Sequence, residues 1–541
     1  MMKNIQRSIY SMLIGTALVG TVSCTKDFDE INKPYKQADE QTASIPGLFN
    51  GLVSSLGKYG DDALNVSLLY PIANQQARQN TVAPYINYSG TFWSQYYPDL
   101  LNYKALLKKI AEQPSPKAFD NVRHMATVLL ASKTLRMLDY YGDIPYSQAS
   151  SSRDGVAYYR PAYDAQQDVY KSVLQGLKNA ADSITSDPSQ TSIGASESYL
   201  KNDFTAWKKF ANALRLRYAV RLYNKENALS SAIIKEILEG NKPLPANQSA
   251  TALQNDNFGL WPNLIAGASG AILDRLSSKW DSYRELSISN IRMSSNVWHQ
   301  MSSSDDPSGK DIYDPRCVVF FMTNNADKWV PQPQDGSVAD GGRPFDNGTE
   351  RKAIGSDPQN KFATFNYFIA YDRLYYPILV ITEADVHFLK AEIYQRGMGV
   401  AKNTALAKTE YEAGLKASVD FWYAYTQQSQ IWLQKPPAPD AAKMNAFINH
   451  PAVAYDGAND AEALRKIATQ AWLATMFQPA ESWAIVRRTG LTPKDPHYNP
   501  GVFNKLPYPD DENVNNHENW NKATKGATPA EQVATKVYWM Q

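Results

Sequence analysis

From Gly47 onward, apolar residues recur along the chain at helical spacing. Leu48, Leu52 and Leu56 lie four apart, and after Asp61-Asp62 the residues Leu64, Leu68, Leu69 and Ile72 predict a second helix running towards Gln75-Gln76-Ala77-Arg78. A loop rich in Tyr and Asn follows, Gln79 to Gly90. Phe92 to Ile110 and Val122 to Leu138 predict an antiparallel pair across Pro114-Ser115-Pro116. Tyr163 to Leu177 is expected to pair with the best-defined helix, Phe204 to Leu222. There Phe204, Trp207, Ala211, Leu214 and Tyr218 form one apolar stripe at spacings of 3, 4, 3 and 4.

The pattern breaks at about Glu226. Up to Pro377 the chain is dense in Pro, Gly, Asn, Asp and Ser, with Trp261, Trp280, Trp298 and Trp329 scattered through it and turn signals at Asp335-Gly336 and Asp340-Gly341-Gly342. So long an irregular insert in a helical protein is usually functional. Helical spacing returns in Glu383 to Arg396, which precedes Gly397, and in Ala405 to Tyr423. Leu464 to Phe477 is expected to continue into Glu481–Arg488. Helix pairs joined by short turns, each burying a face against its neighbours, resemble tetratricopeptide units. The prediction is a mostly α fold: a helical-repeat scaffold over 47–225 and 378–490, with about four to five helix pairs. It carries an irregular, loop-rich lobe over 226–377 and ends in a loop-rich tail over 491–541.

The first residues follow a different logic. Lys3 and Arg7 precede an apolar run, Ile9 to Val19, about half the roughly 20 residues a membrane-spanning helix needs. Thr21-Val22-Ser23-Cys24 then places a cysteine where a bacterial lipobox has one, followed by the charged Thr25-Lys26-Asp27-Phe28-Asp29-Glu30. Residues 1–23 are therefore read as a lipoprotein signal peptide, Cys24 as the lipidated N-terminus and 24–46 as a tether. A lipoprotein carries more than one acyl chain, which anchors a soluble body stably.

Composition narrows the function. With 55 basic and 54 acidic residues among 541, the chain has no charge bias towards nucleic acid. Lipidation of Cys24 leaves Cys317, the only other cysteine, without a partner in the chain, so no disulfide is expected. Cys317, beside Arg316 in the strand-like run Val318-Val319-Phe320-Phe321, reads as buried packing. The 33 Tyr and 12 Trp suit wet binding surfaces as well as cores, since each has an apolar face and a polar tip.

Enzymatic motifs are weak. Glu383 and His387 share a helix face, but no His-Glu-x-x-His supplies a metalloprotease site, and the six histidines are dispersed. Gly397-Met398-Gly399 lacks the Lys-Ser/Thr of a phosphate loop, and Gly267-Ala268-Ser269-Gly270 is one residue short of a nucleophile elbow. Asp305, Asp306 and Asp311 do not follow the EF-hand spacing. Nothing singles out the two carboxylates of a glycosidase. No catalytic residue, metal or cofactor is assigned.

Several strings resemble the SusD/RagB family of outer-membrane lipoproteins, in family order. They are Leu138-Asp139-Tyr140-Tyr141-Gly142-Asp143-Ile144-Pro145-Tyr146-Ser147, then Pro161-Ala162-Tyr163-Asp164 with Val169-Tyr170, then Trp207-Lys208-Lys209-Phe210-Ala211-Asn212-Ala213-Leu214-Arg215-Leu216-Arg217. Asp314-Pro315-Arg316, the Phe388-Leu389-Lys390-Ala391-Glu392 core and Glu481-x-Trp483 with Arg487-Arg488-Thr489-Gly490 complete the set. The ending Val537-Tyr538-Trp539-Met540-Gln541 departs from the Trp pair followed by Asp with which relatives often end. The resemblance implies a tetratricopeptide-like scaffold and a lipid-anchored, surface-exposed outer-membrane protein. Such proteins cap a SusC-like TonB-dependent transporter and capture nutrients, mostly glycans and sometimes peptides as in the RagB type. A non-catalytic oligosaccharide-binding protein is expected, with peptide import as the alternative and a surface hydrolase as the remoter one.

The charged residues inside the recognisable strings, Asp139, Asp143, Arg215, Arg217, Glu392 and Arg487, read as structural partners of packed helices. Ligand is expected elsewhere. Sugar rings stack their C–H faces on exposed aromatics while Asn, Asp, Gln and Arg bond the rims. Two loop regions combine these types. Gln79 to Tyr88 contains Tyr85, Asn87 and Tyr88. The irregular lobe offers Trp261 with Asn263, Trp280 with Asp281, Tyr283 and Arg284, and Trp329 followed by a Gly-rich loop to Arg343. Ligand-binding loops of the family lie in these two general regions.

Overall fold

The computed structural model describes residues 43–56, 64–78, 89–261, 291–335, 361–366, 368–369, 377–429 and 432–541. Ile45–Gln541 forms one compact unit.

Helices come first in the chain. They are α1 (Ile45–Ser54), α2 (Thr91–Ala111), α3 (Asp120–Tyr141), α4 (Gln166–Ser183), α5 (Phe204–Leu222) and α6 (Asn227–Glu239), with the short strand β1 (Gln76–Arg78) between α1 and α2 in the chain. Each helix packs on the next helix in order, and α1 also touches α3. Strands follow: β2 (Phe258–Leu260), β3 (Ile291–Met293), β4 (Phe321–Met322), β5 (Thr364–Phe365) and β6 (Ile378–Ile381). The second helical group is α7 (Glu383–Arg396), α8 (Thr404–Gln428), α9 (Ala441–Ile448), α10 (Asp460–Ala474) and α11 (Pro479–Thr489). Short helices α12 (Asp510–Asn515), α13 (His517–Thr524) and α14 (Pro529–Ala534) close the chain. Helix α7 packs on α8 and α10, and its contact with α5 joins the two helical groups.

The architecture is the mostly helical, tetratricopeptide-like one expected, and local chemistry explains its limits. Thr382 caps α7 through a reciprocal box with Asp385, and Gly397 ends it with φ 70°, a left-handed conformation that glycine adopts without steric cost. Side chains of Asp203, Asn403 and Asn459 accept from the first turns of α5, α8 and α10.

Five local expectations need correction. Leu64 to Ile72 is not one regular helix but a π turn, Asn65–Leu69, running into Tyr70–Ile72; Asn74 (φ 58°) then turns the chain into β1. The stretch after Glu226 begins with α6, whose buried Ile233, Ile234 and Ile237 extend the helical stack. Helix α5 has no single apolar stripe: Arg215, Arg217 and Arg221 are as buried as Trp207 and Leu214, because partners meet them on every side. Leu464 to Phe477 does not continue into the next helix. Pro479 has no N–H to carry the ladder forward, so it starts α11 after a break at Thr475–Gln478. Cys317–Phe320 is a helical turn rather than strand, wound by the Asp314 carboxylate accepting from Arg316 N (2.9 Å), and β4 begins only at Phe321.

A four-stranded antiparallel sheet runs β1-β3-β5-β4, and β2 pairs with β6 separately. That second pairing shifts register at Gly259, where any Cβ would collide with the Ile378 carbonyl.

Candidate functional site

Four of the six charged residues singled out in the recognisable strings, Asp139, Arg217, Glu392 and Arg487, lie where α3, α5, α7 and α11 meet, whereas Arg215 pairs with Glu236 on α6 (2.8 Å) and Asp143 accepts from Gln166 N (2.9 Å). Asp139 on α3 accepts from the hydroxyls of Tyr170 (3.0 Å) and Tyr218 (2.8 Å), from Trp539 Nε1 (3.0 Å) and from Arg221. Arg221 also donates to Glu481 on α11. Arg217, one turn back on α5, meets Asp385 (2.8 Å), Glu481 (3.4 Å) and the Val380 carbonyl (2.7 Å). Against the cost of burial, Arg217 and then Arg221 hold Glu481 down to about 2, while burial pushes Asp385 up despite Arg217. Arg487 donates to the carbonyls of Asp139 and Asn504 and stacks 3.5 Å above the Trp483 ring. Glu392 is clamped by both terminal nitrogens of Arg488 (2.6 and 2.7 Å) and by Arg396 (2.8 Å). Asp139, Arg217 and Glu392 each meet opposite charge within the fold, and Arg487 is held by two carbonyls and a ring, so these residues bind the scaffold to itself. Arg221 and Asp385, central to the network, were not singled out from sequence; the Arg217-x-x-x-Arg221 spacing on one helix face is the signal that would have found Arg221.

The departing terminus also serves this network. Trp539 is buried on Asp139, the Tyr538 hydroxyl donates to Glu226, and Tyr538 N donates to Gln166 Oε1 (2.7 Å).

The candidate ligand segments leave from one end of the sheet. Arg78 and Ile291 are direct partners across β1 and β3, so residues 79–88 depart and 262–290 arrive at adjacent points. The far end of the first loop is fixed too: the Tyr141 hydroxyl donates to the Ser89 carbonyl, and Gly90 lies against Pro509. Strand β5 runs antiparallel to β3, which carries the chain beyond Phe365 towards the same end. Tyr85, Asn87, Tyr88, Trp280, Tyr283, Arg284 and Arg343 lie outside the described residues, as does Cys24.

The other two candidate residues are described. Trp261 is 2% exposed, its Nε1 donates to the Asn257 carbonyl (2.9 Å), and its ring packs edge-on to Phe421. Trp329 is half-buried, stacked nearly parallel to Trp298 at 6.2 Å with the Gly309 turn against its edge. Trp298 in turn donates to Asp305 (2.9 Å), which also bonds His299 (3.0 Å). Cys317 is buried, and burial pushes its thiol well up, which suits packing. His387 is enclosed by Glu410 (2.6 Å) and Glu383 (3.5 Å), whose hydrogen bonds raise its pKa against the opposing effect of burial. Among the described residues, no three His, Cys, Asp or Glu side chains are grouped to hold a metal ion.

Comparison with known proteins matches the fold. Three solved structures share the fold over nearly the whole chain. A SusD-like protein of Bacteroidetes AC2a is 20% identical over 92% of this chain and 100% of its own, with TM-score 0.68. A SusD/RagB family protein of Bacteroides thetaiotaomicron is 18% identical over 92% and 99%, with TM-score 0.67. A chitin-binding SusD homolog from Flavobacterium johnsoniae is 20% identical over 92% and 98%, with TM-score 0.64. No curated protein matches the chain. Among the described residues, no helix is long and apolar enough to cross a membrane. Residues 47–509 match the model of a family described as starch-binding and associating with the outer membrane, and the chain therefore belongs to the SusD-like family.

Proposed function

We propose that this chain is a non-catalytic, cell-surface oligosaccharide-binding lipoprotein, anchored through Cys24, that passes bound glycan to a SusC-like TonB-dependent transporter. The family match over residues 47–509 carries the reading. Two further features support it. The charged residues of the family strings are consumed in the core, which leaves the loops for recognition. The 79–88 and 262–290 segments, which contain Tyr85, Asn87, Tyr88, Trp280, Tyr283 and Arg284, join the body at paired strand ends. Stacking aromatics with neighbouring amides suit sugar rings with apolar faces and hydroxyl rims. The chitin-binding relative makes a β-linked glycan a reasonable first ligand to assay.

The test is to pass the purified mature protein over a panel of polysaccharides and peptides. Retention of one or more glycans is expected, with no new reducing ends. Product formed at enzyme-like rates would make the protein a hydrolase, and retention of peptides alone would make it a peptide-import protein. Fractionation of the Cys24→Ala variant with the soluble proteins, against the wild type with the outer membrane, tests the anchor.

A further inference from the structure

Between Tyr146 and Tyr163 the chain leaves the scaffold as a loop containing two 3-10 turns, Ser152–Asp154 and Val156–Tyr158. Both ends of the loop are braced. At the first, Lys104 Nζ on α2 donates to the carbonyls of Ser147 (3.2 Å) and Ala149 (2.6 Å) and to Ser151 Oγ (3.0 Å). The Tyr97 hydroxyl donates to the Pro145 carbonyl (3.1 Å). At the second, Asn519 Nδ2 donates to the Arg160 carbonyl (3.0 Å) and Asn516 Nδ2 to the Pro161 carbonyl (2.9 Å), while the Tyr163 hydroxyl donates to Glu512 (2.7 Å).

What this frame holds outward is apolar. Val156 is 78% exposed and Tyr159 63%, with Ala157 and Tyr158 exposed between them. Val514, also 78% exposed, lies on α12, the short helix tied to Tyr163 through Glu512. Single exposed apolar residues are ordinary, but a consecutive run on a braced loop adds nothing to the core and faces water at a cost. Two adjacent tyrosines have few rotatable bonds to fix on binding, which suits an interface anchor.

The rim decides between lipid and protein. Asp510 and Asp511 are exposed and form no ion pair among the described residues. Glu518 is engaged by Lys522 (2.7 Å) and lies near Arg160, so these three groups leave one net positive charge against the two carboxylates of Asp510 and Asp511. Free carboxylates are repelled by anionic headgroups and fit a basic protein rim. The stretch of α2 that braces the loop also holds the first helix: Asn102, two residues from Lys104, donates to the Leu48 carbonyl of α1 (2.9 Å). A tether of roughly twenty residues spans at most ~70 Å, which keeps this surface among outer-membrane components and reinforces even a weak contact.

We propose that Val156, Tyr158, Tyr159 and Val514, rimmed by Asp510 and Asp511, dock an apolar, basic-rimmed surface of the transporter partner. This rests on the transporter reading above. The experiment is detergent extraction and affinity purification of the full-length tagged chain from its host, with co-purified proteins identified by mass spectrometry. Wild type is expected to recover a TonB-dependent transporter in comparable amount. The Val156→Ser/Tyr159→Ser pair should lower that recovery by about tenfold or more, and the neutral, near-isosteric Asp510→Asn/Asp511→Asn should lower it as well. Leu406→Ser, at an exposed apolar position on α8, should recover the transporter as wild type does. All variants should keep wild-type melting and glycan retention, because the altered side chains are exposed. Undiminished recovery with both patch variants overturns the docking surface and leaves the transporter reading standing. Recovery of no transporter by wild type overturns both. Binding of the purified body to phospholipid vesicles that is lost with Tyr159→Ser assigns the tip to lipid and also overturns the proposal.

Discussion

The crossing of α3, α5, α7 and α11 and the four-stranded sheet are both buried and both polar, yet they are held differently. At the crossing, full charges meet: Asp139 with Arg221, Arg221 with Glu481, Arg217 with Asp385. Around the sheet, neutral side chains bond backbone carbonyls, as in Gln334 to Gln76 (3.1 Å), Asn366 to Val319 (2.8 Å), Asn324 to Lys361 (2.8 Å) and Ser294 to Gln75 (3.0 Å). Among the described residues one ion pair, Arg316–Asp314, lies nearby and reaches Gln470 on α10, docking this lobe on the helices, and Arg292 on β3 is a single fully buried cation in the sheet itself. Losing one member of a buried charge network strands its partners, whereas losing one amide strands a single carbonyl. The crossing is therefore intolerant of change, and the sheet is a permissive frame from which loops can vary. Recognisable residues collect at the first, and the segments that carry Tyr85, Asn87, Tyr88, Trp280, Tyr283 and Arg284 are joined to the strand ends of the second.

The comparison breaks most decisively at Arg221. Arg221→Ala leaves Asp139 and Glu481 buried and short of a cation, and should cost about 3–5 kcal/mol in denaturant unfolding. Lys416→Ala, which breaks the exposed pair with Asp420, should cost no more than about 0.5 kcal/mol. Equal losses would mean the crossing is no more critical than the surface.

Acid should find the same crossing. Glu481 titrates at about 2 in the fold against 4.5 when unfolded, so its stabilisation is fully present above 4.5 and is lost as pH falls through 2. The stake is about 3 kcal/mol, and the raised pKa of Asp385 offsets part of it. Glu481→Gln should flatten the stability profile between pH 4.5 and 2; an unchanged slope there would remove Glu481 as the acid-sensitive group.

In the loops the readout should change from stability to affinity. Removing a stacking aromatic, by Tyr85→Ala, Tyr88→Ala or Trp280→Ala, should weaken glycan binding by about 2 kcal/mol, roughly thirtyfold, and leave the melt nearly unchanged. Trp261→Ala should instead destabilise the fold by roughly 3–5 kcal/mol, since its ring is in the core. Trp329→Ala, at a half-buried ring, should show which class its stacked side chain joins. If the three loop variants all bind normally, the ligand lies elsewhere.

The smallest effect is expected at the sheet. Gln334→Ala removes one amide bond to Gln76 and should cost about 1 kcal/mol. A loss near that of Arg221→Ala would refute the permissive frame.

Sequence by itself determined what depends on neighbours a few residues apart. The helix Glu383–Arg396 was legible to the residue because its periodicity ends at a glycine that adopts a left-handed turn. The family strings, the structural reading of Asp139 and Arg217, and the burial of Cys317 were legible for the same reason: residue type and spacing constrain them strongly. At the candidate site, sequence supplied residue types and loop positions only. It could not separate Trp261 from Trp329, because tryptophan serves core and binding surface equally well and only the surrounding packing distinguishes them. Tertiary structure alone decided which partners meet. Arg221 finds Asp139 and Glu481 at separations of 82 and 260 residues, and Arg78 faces Ile291. Strands of two to four residues carry too little periodicity to announce themselves. Their register, and with it the common departure point of the candidate loops, is fixed by backbone hydrogen bonds that exist only once distant segments are packed together.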